Sequence, residues 1–262
     1  PFEDKLVTGM RERGYDEEFA RQIFQQILGF GEYGFPESHS ASFALLVYVS
    51  SWLKRHEPAA FTCALLNSQP MGFYSGSQLV QDAQRHGVTV RPVDINGSAW
   101  DCSLEPDDAG APALRLGLRM VKGLSEDAGA RIVAARADGL FTEVQQLRER
   151  VGLDRRELGA LASAGALKPI SGDRHRARWA VAGAEKPMAL FPDMTRYEPA
   201  PLLRAPTEGQ NIVSDYRSTG LTLERHPMCL LRRHLDRYGY VRADALSNHA
   251  DGAGVNVAGL VI

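Results

Sequence analysis

Gly31-Glu-Tyr-Gly-Phe-Pro-Glu-Ser-His-Ser-Ala-Ser-Phe-Ala-Leu-Leu-Val-Tyr-Val-Ser-Ser-Trp-Leu-Lys-Arg-His-Glu-Pro58 is a glycine- and proline-punctuated turn followed by one long, mostly apolar segment. Gly31, Gly34 and Pro36 are expected to bar a helix from running through the turn. Ser38 and Ser40 are both N-cap types, able to accept from the first free N–H groups of a helix. From Ala41 to His56 nothing breaks a helix, and Pro58 ends it. Such a helix is about 24 Å long at roughly 1.5 Å per residue. Phe43, Leu46, Val47, Ser50 and Leu53 fall near helical spacing, and Leu45, Tyr48, Val49 and Trp52 cover much of the rest. The segment is apolar nearly all round, which predicts burial on most sides. Glu37, Ser38, His39 and Ser40 then sit where the helix opens. A helix N-terminus carries partial positive charge and unpaired N–H groups, which suits an anion such as phosphate. The plain alternative is a cap on a core helix, and local chemistry leaves both open.

The 262 residues suffice for one or two domains with a sizeable core. No apolar run approaches the roughly 18 residues that span a membrane, and no signal-peptide pattern opens the chain. A start at Pro1 without an initiator Met, and a close within the strand-like Val255–Ile262, are expected of a piece of a longer polypeptide. Cys63, Cys102 and Cys229 lie far apart and form no zinc pattern, so no metal site is expected, and the sparse count suits a reducing cytoplasm. The net charge of −2 hides a split. Residues 1–114 hold 8 basic and 15 acidic side chains, 115–180 hold 13 and 8, and 181–262 hold 9 and 9. The middle third is the favoured place for nucleic acid, against solvated helix faces as the plain alternative.

Along the chain, residues 1–28 predict helices broken at Gly14, with Asp16 as a cap. Ala59–Asn67 predicts a short helix entered by a proline, and Leu79–His86 another, closed by Gly87. Val88–Asp94 and Leu114–Leu118 predict two strands able to pair, with a turn-rich acidic stretch over 96–112. Val121-Lys-Gly-Leu-Ser125 predicts a small turn leading into a helix capped by Ser125. Phe141, Val144, Leu147 and Val151 mark a helix capped by Thr142, and Leu153 to Ala166 mark another after Asp154. Arg174, Arg176 and Arg178 form a basic run beside Trp179, for which stacking on a base competes with the favoured core burial. Prolines over 184–210 predict a linker. Ile212–Leu223 restarts structure, a helix runs from His226 to Tyr238, and Val241–Leu246 and Val255–Ile262 predict strands.

The opening stretch, with Ser50-Ser-Trp-Leu-Lys54, Pro58-Ala-Ala-Phe61 and Ala64-Leu-Leu-Asn-Ser-Gln-Pro-Met-Gly-Phe-Tyr74, resembles the fingers region of bacterial family C DNA polymerases. That family includes the alpha subunit of polymerase III. Pro36-Glu37 and Asn67–Tyr74 resemble its error-prone branch. The resemblance continues through Arg91–Asp94, Trp100–Cys102, Leu116–Arg119 and Asp215–Leu221. It implies a mainly α fold with minor β. The implied parts are the end of the fingers over 1–114, a helix-hairpin-helix region over 115–183 and a Pro-rich linker over 184–210. A connecting helical segment over 211–252 and the first strand of an OB-type domain over 253–262 would follow. The Val121–Ser125 turn resembles the hairpin of that motif, with Ser125 where a second glycine usually stands. Close backbone approach to a phosphate needs glycine, so Gly123 and Ser125 are candidate DNA-backbone contacts, with Arg119 and Lys122 adding charge.

The resemblance also implies Ser38 and His39 beside the incoming nucleotide's triphosphate, with His39 able to carry charge near neutral pH. DNA synthesis needs carboxylates holding two Mg²⁺. No Asp-x-Asp stands in a suitable strand, and Asp107-Asp108 lie in a Gly/Pro loop. No catalytic residue is therefore assigned, the Mg²⁺ ligands are expected upstream of Pro1, and this stretch alone is expected to be inactive. No Walker loop, serine elbow or His-Glu-x-x-His appears. The implied function is a translesion DNA-directed DNA polymerase, acting in the cytoplasm on primer-template DNA and deoxynucleoside triphosphates, with a sliding clamp and accessory mutagenesis proteins as partners. The alternatives are a non-enzymatic helix-hairpin-helix DNA-binding module and a replicative polymerase III alpha piece.

Overall fold

A computed structural model describes residues 2–33, 37–184 and 201–260, without the side chains of residues 30–39. The chain is mainly helical with minor β structure, and it divides into two compact units, residues 1–57 and 58–262. The 114/115 boundary of the sequence reading falls inside a strand of the second unit.

The first unit holds α1 (Phe2–Glu12), α2 (Glu17–Tyr33) and α3 (Glu37–His56). Gly14 turns the chain between α1 and α2 at φ +88°, a conformation that favours glycine. Asp16 accepts from the Glu18 N–H at 3.1 Å, as expected of a cap. The Phe2 and Phe24 rings meet at 6.4 Å, and Ala20 and Phe24 are buried. Two expectations change here. First, α2 runs through Gly31 to Tyr33, and α3 begins at Glu37 rather than Ala41. A helical glycine costs only about 1 kcal/mol against Ala, so it weakens a helix without ending it. Second, the described side chains of α3 are exposed, Tyr48 by 70 % and Leu45 by 66 %. The marked packing within this unit joins α1 to α2.

The second unit begins with α4 (Pro58–Asn67) and α5 (Gly76–Arg85). Pro58 opens α4, where its missing N–H costs nothing. Ser75 and Gln78 form a reciprocal capping box on α5, which begins at Gly76, three residues before the expected Leu79. A three-stranded sheet follows in the order β1 (Val90–Arg91), β3 (Pro112–Arg115), β2 (Ser103–Pro106). The expected pairing of the two apolar strands is present and parallel, Val90 opposite Leu114. Strand β2 lies within 96–112, where the sequence predicts turns. It pairs antiparallel with β3, Leu104 opposite Leu114, and Arg115 reaches across to Glu105 at 2.7 Å. Asp107 closes the β2–β3 turn by accepting from the N–H groups of Ala109 and Ala111 at 2.9 and 2.8 Å.

Helices α6 (Glu126–Ala135), α7 (Val144–Val151), α8 (Arg155–Ala164), α9 (Lys168–Ser171), α10 (Arg174–Gly183), α11 (Glu208–Ser218) and α12 (Pro227–Arg237) complete the unit. Asp154 caps α8 in a second capping box with Glu157. At α7 the N-cap is Glu143, not Thr142, and it makes no side-chain cap. The core runs from α4 through the sheet into α6, α7, α8 and α10, and includes Leu66, Ile95, Leu114, Ile132, Leu147 and Leu161. Two asparagines act as clamps between distant segments. Asn67 exchanges two hydrogen bonds with the backbone of Cys102, at 2.8 and 2.9 Å, and Asn96 does the same with Phe141, both at 2.9 Å.

The basic run on α10 divides. Arg174 is 3 % exposed and faces inward, while Arg176 is exposed and pairs with Asp173. Trp179, expected in the core, is 51 % exposed. Position 179 falls on the side of α10 turned from α8, since Ala177 and Val181 are the positions buried against the core. Of the proline-rich 184–210 stretch, residues 185–200 lie outside the described residues, and α11 already begins at Glu208. Near the C-terminus β4 (Tyr240–Val241) pairs parallel with β5 (Asn256–Val257). The strand expected over Val241–Leu246 is confined to its first residue, because Ala243–Asn248 turn as a 3-10 helix behind an Arg242–Asp244 ion pair of 2.6 Å.

Candidate nucleic-acid interface

Four of the six residues singled out in the sequence stand in one short turn. Leu118–Met120 make a single 3-10 turn, Val121–Ser125 connect, and α6 follows. Leu118, Val121 and Leu124 point into the core and anchor the turn, while Lys122, Gly123 and Ser125 are exposed between them. This alternation follows from sequence, since three apolar side chains spaced by three residues share one face. Gly123 takes φ +88°, and a Cβ there would meet nothing within 4 Å. Backbone conformation, not crowding, calls for glycine at this position, and it leaves open space beside the main chain. The Ser125 hydroxyl accepts from the Ala128 N–H at 3.2 Å, the expected cap. The N–H groups of Gly123 and Ser125 meet no acceptor among the described residues.

The two cations differ in what they are free to do. Arg119 donates to Asp101 at 2.6 Å and to the carbonyls of Asn67 and Gln69 at 2.8 and 3.3 Å. Its guanidinium joins the end of α4 to the hairpin, and much of its donor capacity is used within the fold. Lys122 remains exposed; its backbone N–H donates to Ser218 at 2.8 Å and its Nζ to the Tyr216 carbonyl at 3.2 Å. A single bond at the end of a flexible stem leaves two ammonium protons available. Glu126 and Asp127 occupy the first turn of α6, where they favour the helix dipole and oppose an approaching anion. Asp127 is partly neutralised by Arg131 at 3.0 Å.

Ser38 and His39 belong to the first turn of α3 in the other unit, and their side chains lie outside the described residues. Among the described residues no three His, Cys, Asp or Glu side chains gather in a way that could hold a metal ion. Asp107 is engaged in its own turn and Asp108 pairs with Arg91 at 3.5 Å, so this acidic pair does not fit an Mg²⁺ site. No described helix is long and apolar enough to cross a membrane.

The class of element follows from this turn: residues 87–177 match the helix-hairpin-helix motif. The match starts earlier than the expected 115 and takes in the small sheet. Over its whole length the chain is also homologous to error-prone DNA polymerases. It is 56 % identical to the "Error-prone DNA polymerase" of Methylococcus capsulatus, covering 100 % of this chain and 27 % of that protein. The corresponding values are 56 %, 100 % and 26 % for Alkalilimnicola ehrlichii, and 52 %, 100 % and 26 % for Pseudomonas fluorescens. The chain thus spans about a quarter of the length of the curated relatives it matches. The resemblance drawn from Gly31–Tyr74, and its placing in the error-prone branch, hold.

Proposed function

We propose that this chain is the part of an error-prone DNA polymerase that carries the end of the fingers and the helix-hairpin-helix region. The observation that carries the reading is the identity of 56 % over the entire chain to proteins named for that activity. The whole enzyme adds deoxynucleotides to a primer 3′ end during damage-induced synthesis in the cytoplasm, with a sliding clamp and accessory mutagenesis proteins as partners. Mg²⁺ held by carboxylates elsewhere in that enzyme would supply the charge stabilisation of nucleotidyl transfer. Ser38 and His39 face the triphosphate of the incoming nucleotide. Lys122, Gly123 and Ser125 hold a phosphate of duplex DNA through one ammonium and two backbone N–H groups, contacts that carry no sequence information. Arg119 acts behind them, holding the hairpin against α4.

The test is duplex DNA binding by this chain as a function of salt. Lys122→Ala is expected to reduce the slope of log K against log salt by about 1, the loss of one phosphate contact. A salt dependence identical to wild type would remove Lys122 from the interface. In the full polymerase, His39→Ala is expected to raise KM for every deoxynucleoside triphosphate alike. An unchanged KM would remove His39 from the nucleotide site.

A further inference from the structure

A groove of about 510 Å³ lies between α10 and the segment that leads into α11. Its walls include His175, Arg178 and Trp179 from α10, and Leu203, Arg204 and Thr207 from the other side. No local pattern joins these two segments, since Leu203 and Arg204 stand in the proline-rich stretch. His175 holds them together by donating from Nδ1 to the Arg204 carbonyl at 2.7 Å.

The lining has a definite chemistry. Arg178 and Arg204 make no ion pair among the described residues, and no carboxylate is among the residues that line the groove. The nearest acids along the sequence are already engaged, Asp173 with Arg176 and Glu208 with Arg225 at 2.5 Å. Trp179 is half exposed in this cationic setting. An indole left open to water between unpaired guanidinium groups suits a ligand with both a flat π face and negative charge. A nucleotide unit has both, and stacking on an aromatic side chain tolerates any base. An acidic peptide would use the arginines and leave the indole without a matching group. The base of a duplex is unavailable for stacking, so the ligand is a single strand.

We propose that this groove binds single-stranded DNA, with Trp179 stacking on a base and Arg178 and Arg204 meeting the flanking phosphates. The inference takes the class of ligand from the polymerase reading, yet it concerns a site distinct from the Val121–Ser125 turn. On the present chain it would place an unpaired strand beside the hairpin region.

The experiment is titration of the full chain with an oligothymidylate, followed by tryptophan fluorescence and anisotropy. A duplex of equal length and a polyglutamate serve as comparison probes. Trp179→Ala is expected to weaken oligothymidylate binding about tenfold, within the range that one stacked base supplies. Trp179→Phe should restore most of that loss. Arg178→Ala with Arg204→Ala should flatten the salt slope by about 1.4 for two single-strand phosphates. Thermal unfolding of each variant separates lost binding from lost folding. The proposal is overturned if Trp179→Ala binds the oligonucleotide as wild type does, if no single strand binds at low salt, or if polyglutamate competes equally for the groove. Duplex binding that still responds to Lys122→Ala in those cases would leave the hairpin reading standing.

Discussion

Arg174 is a surface residue by sequence and an interior one by structure. Its guanidinium donates to the Ser163 carbonyl at 3.0 Å and to Asn211 Oδ1 at 2.7 Å, and pairs with Asp215. Asp215 in turn accepts from the Thr222 hydroxyl at 2.6 Å. The network ties α8 and α10 to α11. Breaking one side of a buried pair leaves an uncompensated charge, so Arg174→Met is expected to cost about 3–5 kcal/mol by urea denaturation. Arg174→Lys should rescue little, because an ammonium cannot span the forked geometry. Cys102 gives a second prediction. Burial pushes its thiol from the ordinary 9.0 up to about 11, with the Gly117 N–H pulling it partly back. A raised folded pKa means stability that is full below pH 9 and lost as pH rises towards 11. Wild type should therefore lose on the order of 2 kcal/mol across that window relative to Cys102→Ala, measured by denaturation at each pH. A parallel pH profile for the two proteins would refute this.

At the scale of the element, some caps were legible and others, such as Thr142 on α7, were not. Ser125 and Asp154 cap where their residue types predict, because a cap depends on two or three neighbouring residues. Strand β2 was not legible, since Ser103–Pro106 lacks an apolar pattern and owes its place to β3. The cap on α6 separates structure from binding. Ser125→Ala is expected to cost about 1 kcal/mol of stability. Ser125→Asp keeps a capping oxygen and adds negative charge, so it should retain stability and weaken duplex DNA binding. Equal binding by Ser125→Asp and wild type would argue against a phosphate at this turn. The candidate site was legible to the same extent. The turn could be located from Gly123 and its apolar neighbours, whereas the ties of Arg119 to Asn67 and Gln69 join residues about fifty positions apart.

On the scale of the whole molecule, the contact division at residue 57 carries its own expectation. The main core is built from residues between Ala59 and Leu221, none of them in the first unit. A chain starting at Pro58 is expected to unfold cooperatively with a midpoint close to that of the full chain, as followed by circular dichroism. The apolar surface of α3, in contrast, is exposed in this chain. Its exposure predicts binding of a hydrophobic dye, reduced by Leu46→Lys with Tyr48→Lys without a change in the midpoint of residues 58–262. A large midpoint shift for the Pro58 chain would mean that the two units fold together.

The sequence by itself determined the helical class, the caps at Asp16, Ser125 and Asp154, the hairpin turn and the kinship with error-prone polymerases, because each rests on residues close together in the chain. Only the tertiary structure decided which cations remain available. Arg119 and Arg174 are consumed by carbonyls and carboxylates brought from distant segments, while Arg178 and Arg204 face a groove that two unrelated segments enclose. Whether an arginine binds a ligand or the protein depends on which acceptors the fold places within about 3 Å of it, and local sequence does not contain that distance.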